Sequence, residues 1–498
     1  MSSEKTVVTT VSLSPAGERV GERANTLSRR TVLIAGAAIS TACVVPSKPD
    51  AGPRTIDPQP FDNASRVEFA PETVALSETL FPQTVSSGVM KSDSVMLWTR
   101  ATGEAQVVLR VWRDVGSTTE IALVHERTVD VTADTGGNLK LTVTSLAPAT
   151  WYRYAFFSTD LTRRSPIGQV RTAFPDDWAE PLTVGATSCA SYRYRPFKAL
   201  VTQSKQPMDL CLHLGDVGYY DGADSLATFR QKWQEQLQDP GYRAVLPASG
   251  GYFLWDDHEF ANNFDPEALG PNHPLVVEGA RTFRESLPVE AARAWQSYRW
   301  GKTAEFFVLD VRLERKPTTR ETPDAQLISP AQLEWLKQGL LDSPCHFKVI
   351  LTSIPITNMP PPSWGGQADR WQGYDAQREK LLGFLDEHAL DNVWFLTGDI
   401  HVGTIMRLEK VGPRRKYFEM AVGPAGNINP LTLVLEPGQE ANKKVVFPPE
   451  QFLFAGGGFH ACTLTFDPKA NTVRVIFIDA TKDDLVTCDQ TLTFGDGA

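Results

Sequence analysis

Residues 210–220 read LCLHLGDVGYY. An apolar run of strand length, with leucines at 210, 212 and 214, stops at Gly215 and Asp216, and Tyr219 follows three residues later. A run of this kind is expected of a buried strand, and a carboxylate at its carboxyl end stands where open α/β sheets collect their ligands. The GDxxY pattern therefore offers one carboxylate and one phenol from a single strand-to-loop turn, both able to reach the same cation.

The arrangement repeats on either side of this stretch. Residues 182–188 read as a strand ending at Cys189, and residues 252–255 run into Asp256, Asp257, His258, Glu259, Phe260, Ala261, Asn262 and Asn263. Residues 348–351 lead to Thr352 and Ser353, and residues 393–396 lead to Thr397, Gly398, Asp399, Ile400 and His401. All of these strand ends except that at Ser353 carry candidate ligands. Between them, residues 226–237 and 331–341 have helical apolar spacing, the second opened by Ser329 and Pro330 as cap and first-turn residue. From Pro181 onward the chain is α/β.

Residues 75–178 read differently. The stretches 94–99 (SVMLWT) and 106–112 (QVVLRVW) have strand patterning with turn residues between them, and LAPATWYRY at 146–154 resembles the tyrosine corner of fibronectin type III sandwiches. A β-sandwich of fibronectin or immunoglobulin type is expected there, packing against or shading the α/β part. Residues 43–74, with Pro46, Pro49, Pro53, Pro58 and Pro60, read as a linker or tether.

Residues 1–42 have the pattern of an export leader. Ser28 Arg29 Arg30 Thr31 Val32 Leu33 is a twin-arginine motif, followed by an uncharged apolar run to Ala42 that is too short to span a bilayer. Both cleavage after Ala42 and lipidation of Cys43 fit, with Ser40 standing where a lipobox more often has leucine. The expected location is periplasmic or extracellular, as a free protein or a membrane-anchored lipoprotein. This route carries folded proteins, often with a cofactor already inserted. The whole chain of 498 residues has a formal charge of −10, and loss of the leader makes it about −12. That balance argues against non-specific nucleic-acid binding, and the absence of GxGxxG and P-loop motifs argues against a nucleotide-binding protein. The length favours two domains, 75–178 and 179–498, and a monomer is expected.

GDVGYY, WDDHEFANN and LTGDIH, in this order after an SCA turn, resemble the motif series of PhoD-like alkaline phosphatases and phosphodiesterases within the calcineurin-like metallophosphoesterase superfamily. LDVR at 309–312 and DRWQGY at 369–374 support the resemblance, as do the leader and the WTR-bearing β segment. It implies a metallophosphoesterase β-sandwich flanked by helices, in four αββα layers. It also implies iron beside calcium, bridged by Asp216.

The residues support that division. Cys189, Asp216, Tyr219 and His401 form a thiolate, carboxylate, phenolate and imidazole set suited to Fe³⁺. Asp256 or Asp257, with Asn263, Asp399 and a shared Asp216, supplies oxygen alone, which suits Ca²⁺, with Mg²⁺ or Mn²⁺ as alternatives. Compared with purple acid phosphatases, Cys189 replaces an aspartate, Asp399 replaces the first histidine of GHxH, and no histidine follows residues 348–351, so zinc is disfavoured. Alignment of DDHE with GNHE favours Asp257 as the ligand, while the spacing to Asn263 could equally be served by Asp256.

The expected chemistry is attack on phosphorus by a metal-activated hydroxide at a dinuclear or trinuclear centre, hydrolysing phosphate monoesters, diesters or both. His258 either contacts the phosphate and protonates the leaving alkoxide, or only orients Asp257. His213 is expected in the core, and nothing in the sequence ties His460 to the site. Cys211, Cys345, Cys462 and Cys488 are expected to supply up to two disulfides in an oxidising compartment. Two other readings stand beside this one. One is a phospholipase D-like phosphodiesterase acting on phospholipid or cell-wall polymer; the other is a surface lipoprotein that binds ligands on an inactive phosphatase scaffold.

Overall fold

In the computed structural model, residues 64–290, 294–361 and 363–496 are described. The twin-arginine motif, Cys43 and nearly all of the tether lie outside those residues. Leu182–Thr187, Leu210–Leu214 and Gly250–Leu254 pair in parallel. The antiparallel strands His460–Asp467, Thr472–Asp479 and Leu485–Leu492 extend this sheet beyond Leu182–Thr187. A second sheet is built on Ala304–Val308, Phe347–Leu351, Val393–Thr397 and Phe418–Ala421, also parallel. Gln296–Trp300 flanks it at one edge, and Gly403–Arg407 and Phe452–Gly456 at the other.

Alternation along the strands explains the layering. Leu210, Leu212 and Leu214 share one buried cluster with Phe306, Val308, Val349, Leu351, Trp394 and Leu396, so the two sheets meet face to face. Residues at the intervening positions turn outward. Cys211 and Phe253 pack with Leu200, Phe229, Trp233 and Phe283 from helices outside the first sheet. Phe307, Ile350 and Phe395 pack with Leu333, Leu336, Leu340, Leu381 and Leu385 from helices outside the second. The result is helix, sheet, sheet, helix.

Local signals set the helices. Leu226–Leu237 begins with a capping box between Ser225 and Thr228. Pro330–Asp342 has Pro330 in its first turn, and the Ser329 side chain accepts a hydrogen bond from the Gln332 amide. Its inward stripe of Leu333, Leu336 and Leu340 follows helical spacing, each leucine contributing about 1.5–3 kcal/mol through burial.

Towards the amino terminus, a separate sheet contains Ser65–Glu68, Glu120–Asp130, Gln106–Asp114 and Trp151–Ser158. Its corner is formed by Tyr152, whose hydroxyl accepts a hydrogen bond from the Ala147 amide at 2.8 Å. The strands Val85–Gly88, Val95–Arg100 and Asn138–Val143 do not close a sheet of their own. They join the first α/β sheet, where Gly88 pairs with Gly251. A Cβ at Gly88 would lie 2.9 Å from the Gly251 carbonyl oxygen and 2.3 Å from that of Pro288, so this junction needs glycine.

The expected disulfides are absent. Cys189, Cys211, Cys345, Cys462 and Cys488 are all free thiols. Cys462 and Cys488 both register with Phe477 on the strand between them. Two strand spacings separate their backbones by about 9.5 Å, beyond disulfide reach. Cys211 is likewise separated from Cys462 by Leu182–Thr187. Among the described residues no helix is long and apolar enough to cross a membrane.

Candidate metal centre

Seven parallel strands point their carboxyl ends at one place. The loop after Leu182–Thr187 carries Cys189, that after Leu210–Leu214 carries Asp216 and Tyr219, and that after Gly250–Leu254 carries Asp256 to Asn263. In the second sheet, Ala304–Val308 leads to Arg312, Phe347–Leu351 to Ser353, Val393–Thr397 to Asp399 and His401, and Phe418–Ala421 to Asn427. Backbone hydrogen bonds stitch these loops together: Cys189 N donates to Gly215 O, Gly426 N to Cys189 O, and Gly398 N to Ser353 O. Buried Glu259 joins two of them by accepting from the amides of Asp216 and Asp256 at 3.3 and 2.7 Å.

The backbone itself marks the site. Cys189, Asp216, Asn263, Asp399 and His401 have φ of 55°, 53°, 51°, 62° and 55°. Left-handed backbone is uncommon outside glycine, and its concentration here shows turns held against local preference to aim side chains. Gly215, at φ 93°, has no room for a Cβ, which would lie 2.7 Å from that of Asp256.

One cluster brings together Cys189, Asp216 and His401, whose ligand atoms lie within 4.8 Å of one another. The Tyr219 hydroxyl sits 3.0 Å from Asp216 Oδ2 and 3.0 Å from His401 Nε2. Adjacent ligands about 2.1 Å from a common ion are separated by roughly 3 Å, so the four donors fit one cation. Burial, followed by Asp216, raises the Cys189 thiol and the Tyr219 phenol well above their ordinary values. Burial, followed by Asp256 and Asp257, likewise raises Asp216. Burial lowers His401 to about 4. These groups cannot all ionise together without a positive ion, which is the condition a metal satisfies.

A second cluster adds Asp257 and His258 around Asp216. Asp257 Oδ2 accepts from the Asn263 amide at 2.6 Å. One end of the Asn263 side-chain amide lies 3.1 Å from Asp257 Oδ2 and 2.6 Å from Asp369 Oδ2, making hydrogen bonds as nitrogen or a group of converging oxygens as carbonyl. Asp256 points elsewhere. Its Oδ1 accepts from Arg312 Nε and, at 2.8 Å, from Ser353 Oγ, while its Oδ2 is buried without a partner. Burial raises Asp256 to about 7 despite the adjacent guanidinium. Asp257, and not Asp256, lines the open cleft of about 260 Å³, with Asp216, His258, Asn263, Asp369, Arg370, Asp399 and His401.

Several participants had no role assigned from the sequence, although LDVR and DRWQGY contain Arg312, Asp369 and Arg370. Arg312 is wholly buried, hydrogen-bonded to Asp256 and Asp369, with Asp257 and Asp399 each 3.8 Å away. Asp369 also takes Arg315 at 2.5 Å. Asp399 Oδ2 accepts from Arg370 Nε at 2.7 Å. Asn427 Nδ2 lies 2.6 Å from the Tyr219 hydroxyl and 3.2 Å from His401 Nε2. The signal that could have flagged Asn427 is its place after another strand end, Phe418–Ala421.

Asp221 Oδ2 pairs with His258 Nδ1 at 2.6 Å, and the His258 ring lies on Tyr219 with centroids 3.9 Å apart. Burial opposes protonation of His258, but the Asp221 hydrogen bond and the charges of Asp216 and Asp257 prevail and hold it near 10. His213 is a core residue, its Nε2 2.9 Å from the Tyr242 hydroxyl. His460 is buried in contact with Phe477, outside the cleft lining.

Residues 182–474 match the PhoD-like phosphatase family model, and residues 68–174 match the model of the PhoD-like phosphatase N-terminal domain. The chain belongs to the PhoD-like phosphatase family. It is 26% identical over 375 residues to alkaline phosphatase D of Bacillus subtilis (strain 168), a match spanning 64% of each chain. A solved structure of PhoD superposes with a TM-score of 0.70 at 21% identity, covering 84% of this chain and 90% of the other. A purple acid phosphatase from yellow lupin (Lupinus luteus) seeds has a TM-score of 0.54 at 13% identity, covering 83% and 75%. These two likenesses show the fold, a mixed α/β architecture of several sheets.

Proposed function

We propose that this PhoD-like chain is an exported, metal-dependent phosphoric ester hydrolase acting on phosphate monoesters, diesters or both. The observation that carries this reading is the convergence of Cys189, Asp216, Tyr219 and His401 at ligand spacing, beside the oxygen atoms of Asp257, Asn263 and Asp399. The first set would hold Fe³⁺, and the second, sharing Asp216, would hold Ca²⁺, with Mg²⁺ or Mn²⁺ as substitutes. Bound cations would lower the pKa of a water nucleophile and withdraw charge from the phosphoryl oxygens.

The remaining work falls to the chain's own side chains. Asp221 fixes the His258 ring through Nδ1, leaving Nε2 as the nitrogen available to the cleft. As the water oxygen bonds to phosphorus and the ester P–O bond breaks, a proton from Nε2 neutralises the leaving alkoxide. Arg312 pairs with Asp256 and Asp369, which leaves Asp257 and Asp399 facing the cleft for the cation. The separate amino-terminal sheet is read as part of an immunoglobulin-like module, whose strands Val85–Gly88, Val95–Arg100 and Asn138–Val143 continue the first catalytic sheet. The leader is read as a twin-arginine signal engaging that export machinery, with Cys43 a candidate lipid anchor.

Elemental analysis of protein exported by its own leader, paired with hydrolysis of chromogenic monoester and diester before and after chelation, tests the reading. Iron and calcium near stoichiometry, with activity lost on chelation, support it. Metal-free protein without turnover would leave a ligand-binding protein on a phosphatase scaffold.

A further inference from the structure

Resting on the ester-hydrolase reading, we propose that Arg370 is the specificity-determining residue of the cleft, favouring the dianion of a phosphate monoester over the monoanion of a diester. Among the described residues lining the cleft, Arg370 is the only lysine or arginine. The other guanidiniums nearby do not line it. Arg312 and Arg315 have fully buried side chains held by Asp256, Asp369 and the Phe264 carbonyl. Arg320 lies over Tyr374 and pairs with Asp369 at 3.4 Å.

Arg370 is positioned rather than free. Its Nε donates to Asp399 Oδ2 at 2.7 Å and its Nη1 to the Gly365 carbonyl at 3.1 Å, which fixes the guanidinium plane. The residue sits between the turns Gln367–Asp369 and Trp371–Tyr374, and the second is anchored by buried Trp371, whose Nε1 donates to Thr352 Oγ1 at 3.2 Å. Nη2 has no hydrogen-bond partner among the described residues, and the residue lines the open cleft.

The amides of the lining, Asn262, Asn263 and Asn429, are neutral, so none of them balances a second phosphate charge. Asn429 spends Nδ2 on the Ile400 carbonyl and Oδ1 on the Leu431 amide, and Asn263 is held between Asp257 and Asp369. A monoester presents three non-bridging oxygens and two charges, a diester two oxygens and one charge. The additional oxygen and charge need an additional charged donor, and a guanidinium held by one edge supplies it with its other edge.

The test uses full-length, metal-containing protein and the variants Arg370→Gln and Arg370→Lys. The measurements are kcat/KM for p-nitrophenyl phosphate and bis(p-nitrophenyl) phosphate, the inhibition constant of inorganic phosphate, and metal content. Loss of one charge-assisted hydrogen bond corresponds to a factor of about ten to a hundred. Arg370→Gln should lower the monoester-to-diester ratio and weaken phosphate inhibition by that factor at unchanged metal content, and Arg370→Lys should recover part of both. An unchanged ratio at unchanged metal content overturns the assignment. So does loss of metal together with both activities, since Arg370 would then act by holding Asp399. A metal-loaded wild-type protein that hydrolyses neither ester overturns the hydrolase reading itself, an outcome distinct from either of these.

Discussion

The two halves of the centre solve the same electrostatic problem in different ways. Around Cys189, Asp216, Tyr219 and His401, no arginine or lysine makes a hydrogen bond among the described residues, and burial, followed by neighbouring carboxylates, pushes the acidic members towards their neutral forms. Around Asp256, Asp257, Asp369 and Asp399, the protein supplies its own cations: Arg312 within, Arg315 beneath and Arg370 at the rim. The first half is therefore built to depend on a bound ion for neutrality. The second is partly neutral before any ion arrives, which suits weaker and more exchangeable binding of a hard divalent cation.

The strongest way to break this contrast is Asp216→Asn, which removes the carboxylate common to both halves. Activity should fall on the order of 10⁴-fold with loss of bound metal, read from initial rates and elemental analysis. Next, Arg312→Met leaves buried Asp256 without its guanidinium partner and should destabilise by about 3–5 kcal/mol in urea unfolding. The double variant Arg312→Met with Asp256→Asn removes both partners of one pair and should recover part of that loss. If the single variant is as stable as wild type, the second half does not rely on Arg312 for neutrality.

A finer test separates the halves by chelation. Under the proposed division, a calcium chelator should release the divalent ion while iron remains, because thiolate and phenolate ligands would hold a ferric ion and calcium would have oxygen ligands only. Simultaneous loss of both metals would show one coupled site instead. Smaller again, Asp221→Asn should lower kcat about tenfold with metal content unchanged, because it alters the hydrogen bond that orients His258 and no proposed ligand.

The smallest effect concerns pH. His213 lies on the strand that ends at Asp216, and burial lowers it to about 3. A depressed histidine contributes stability that is present above its unfolded value near 6.5 and is lost as pH falls towards the folded value. The slope should reach at most about 1.4 kcal/mol per pH unit. Urea unfolding at pH 7 and pH 5, compared with His213→Gln, should show the pH dependence reduced in the variant.

Much of the centre was legible because it is local. A strand followed by a glycine-aspartate turn puts Asp216 at a sheet end whatever the rest of the chain does, and Tyr219 and His401 follow within the same loops as Asp216 and Asp399. Helix limits were legible for the same reason, as at Ser329 and Pro330, where cap and first-turn chemistry act within one turn. The disulfide expectation failed because cysteine count carries no strand order. Cys462 and Cys488 look available in sequence, yet an intervening strand separates them.

The sequence by itself determined the donor types: a thiol, carboxylates, a phenol and an imidazole at strand ends, each placed by short-range patterning. Tertiary structure alone decided how they are shared. Asp256 and Asp257 are adjacent and chemically identical, but Arg312, from another sheet, takes the first, and Asp257 faces the cleft. Asn427 meets Tyr219 across 208 residues, and Asp221 meets His258 across 37. Such contacts depend on which strand ends become neighbours when two sheets pack, and that is set by burial of the whole core and not by any local pattern.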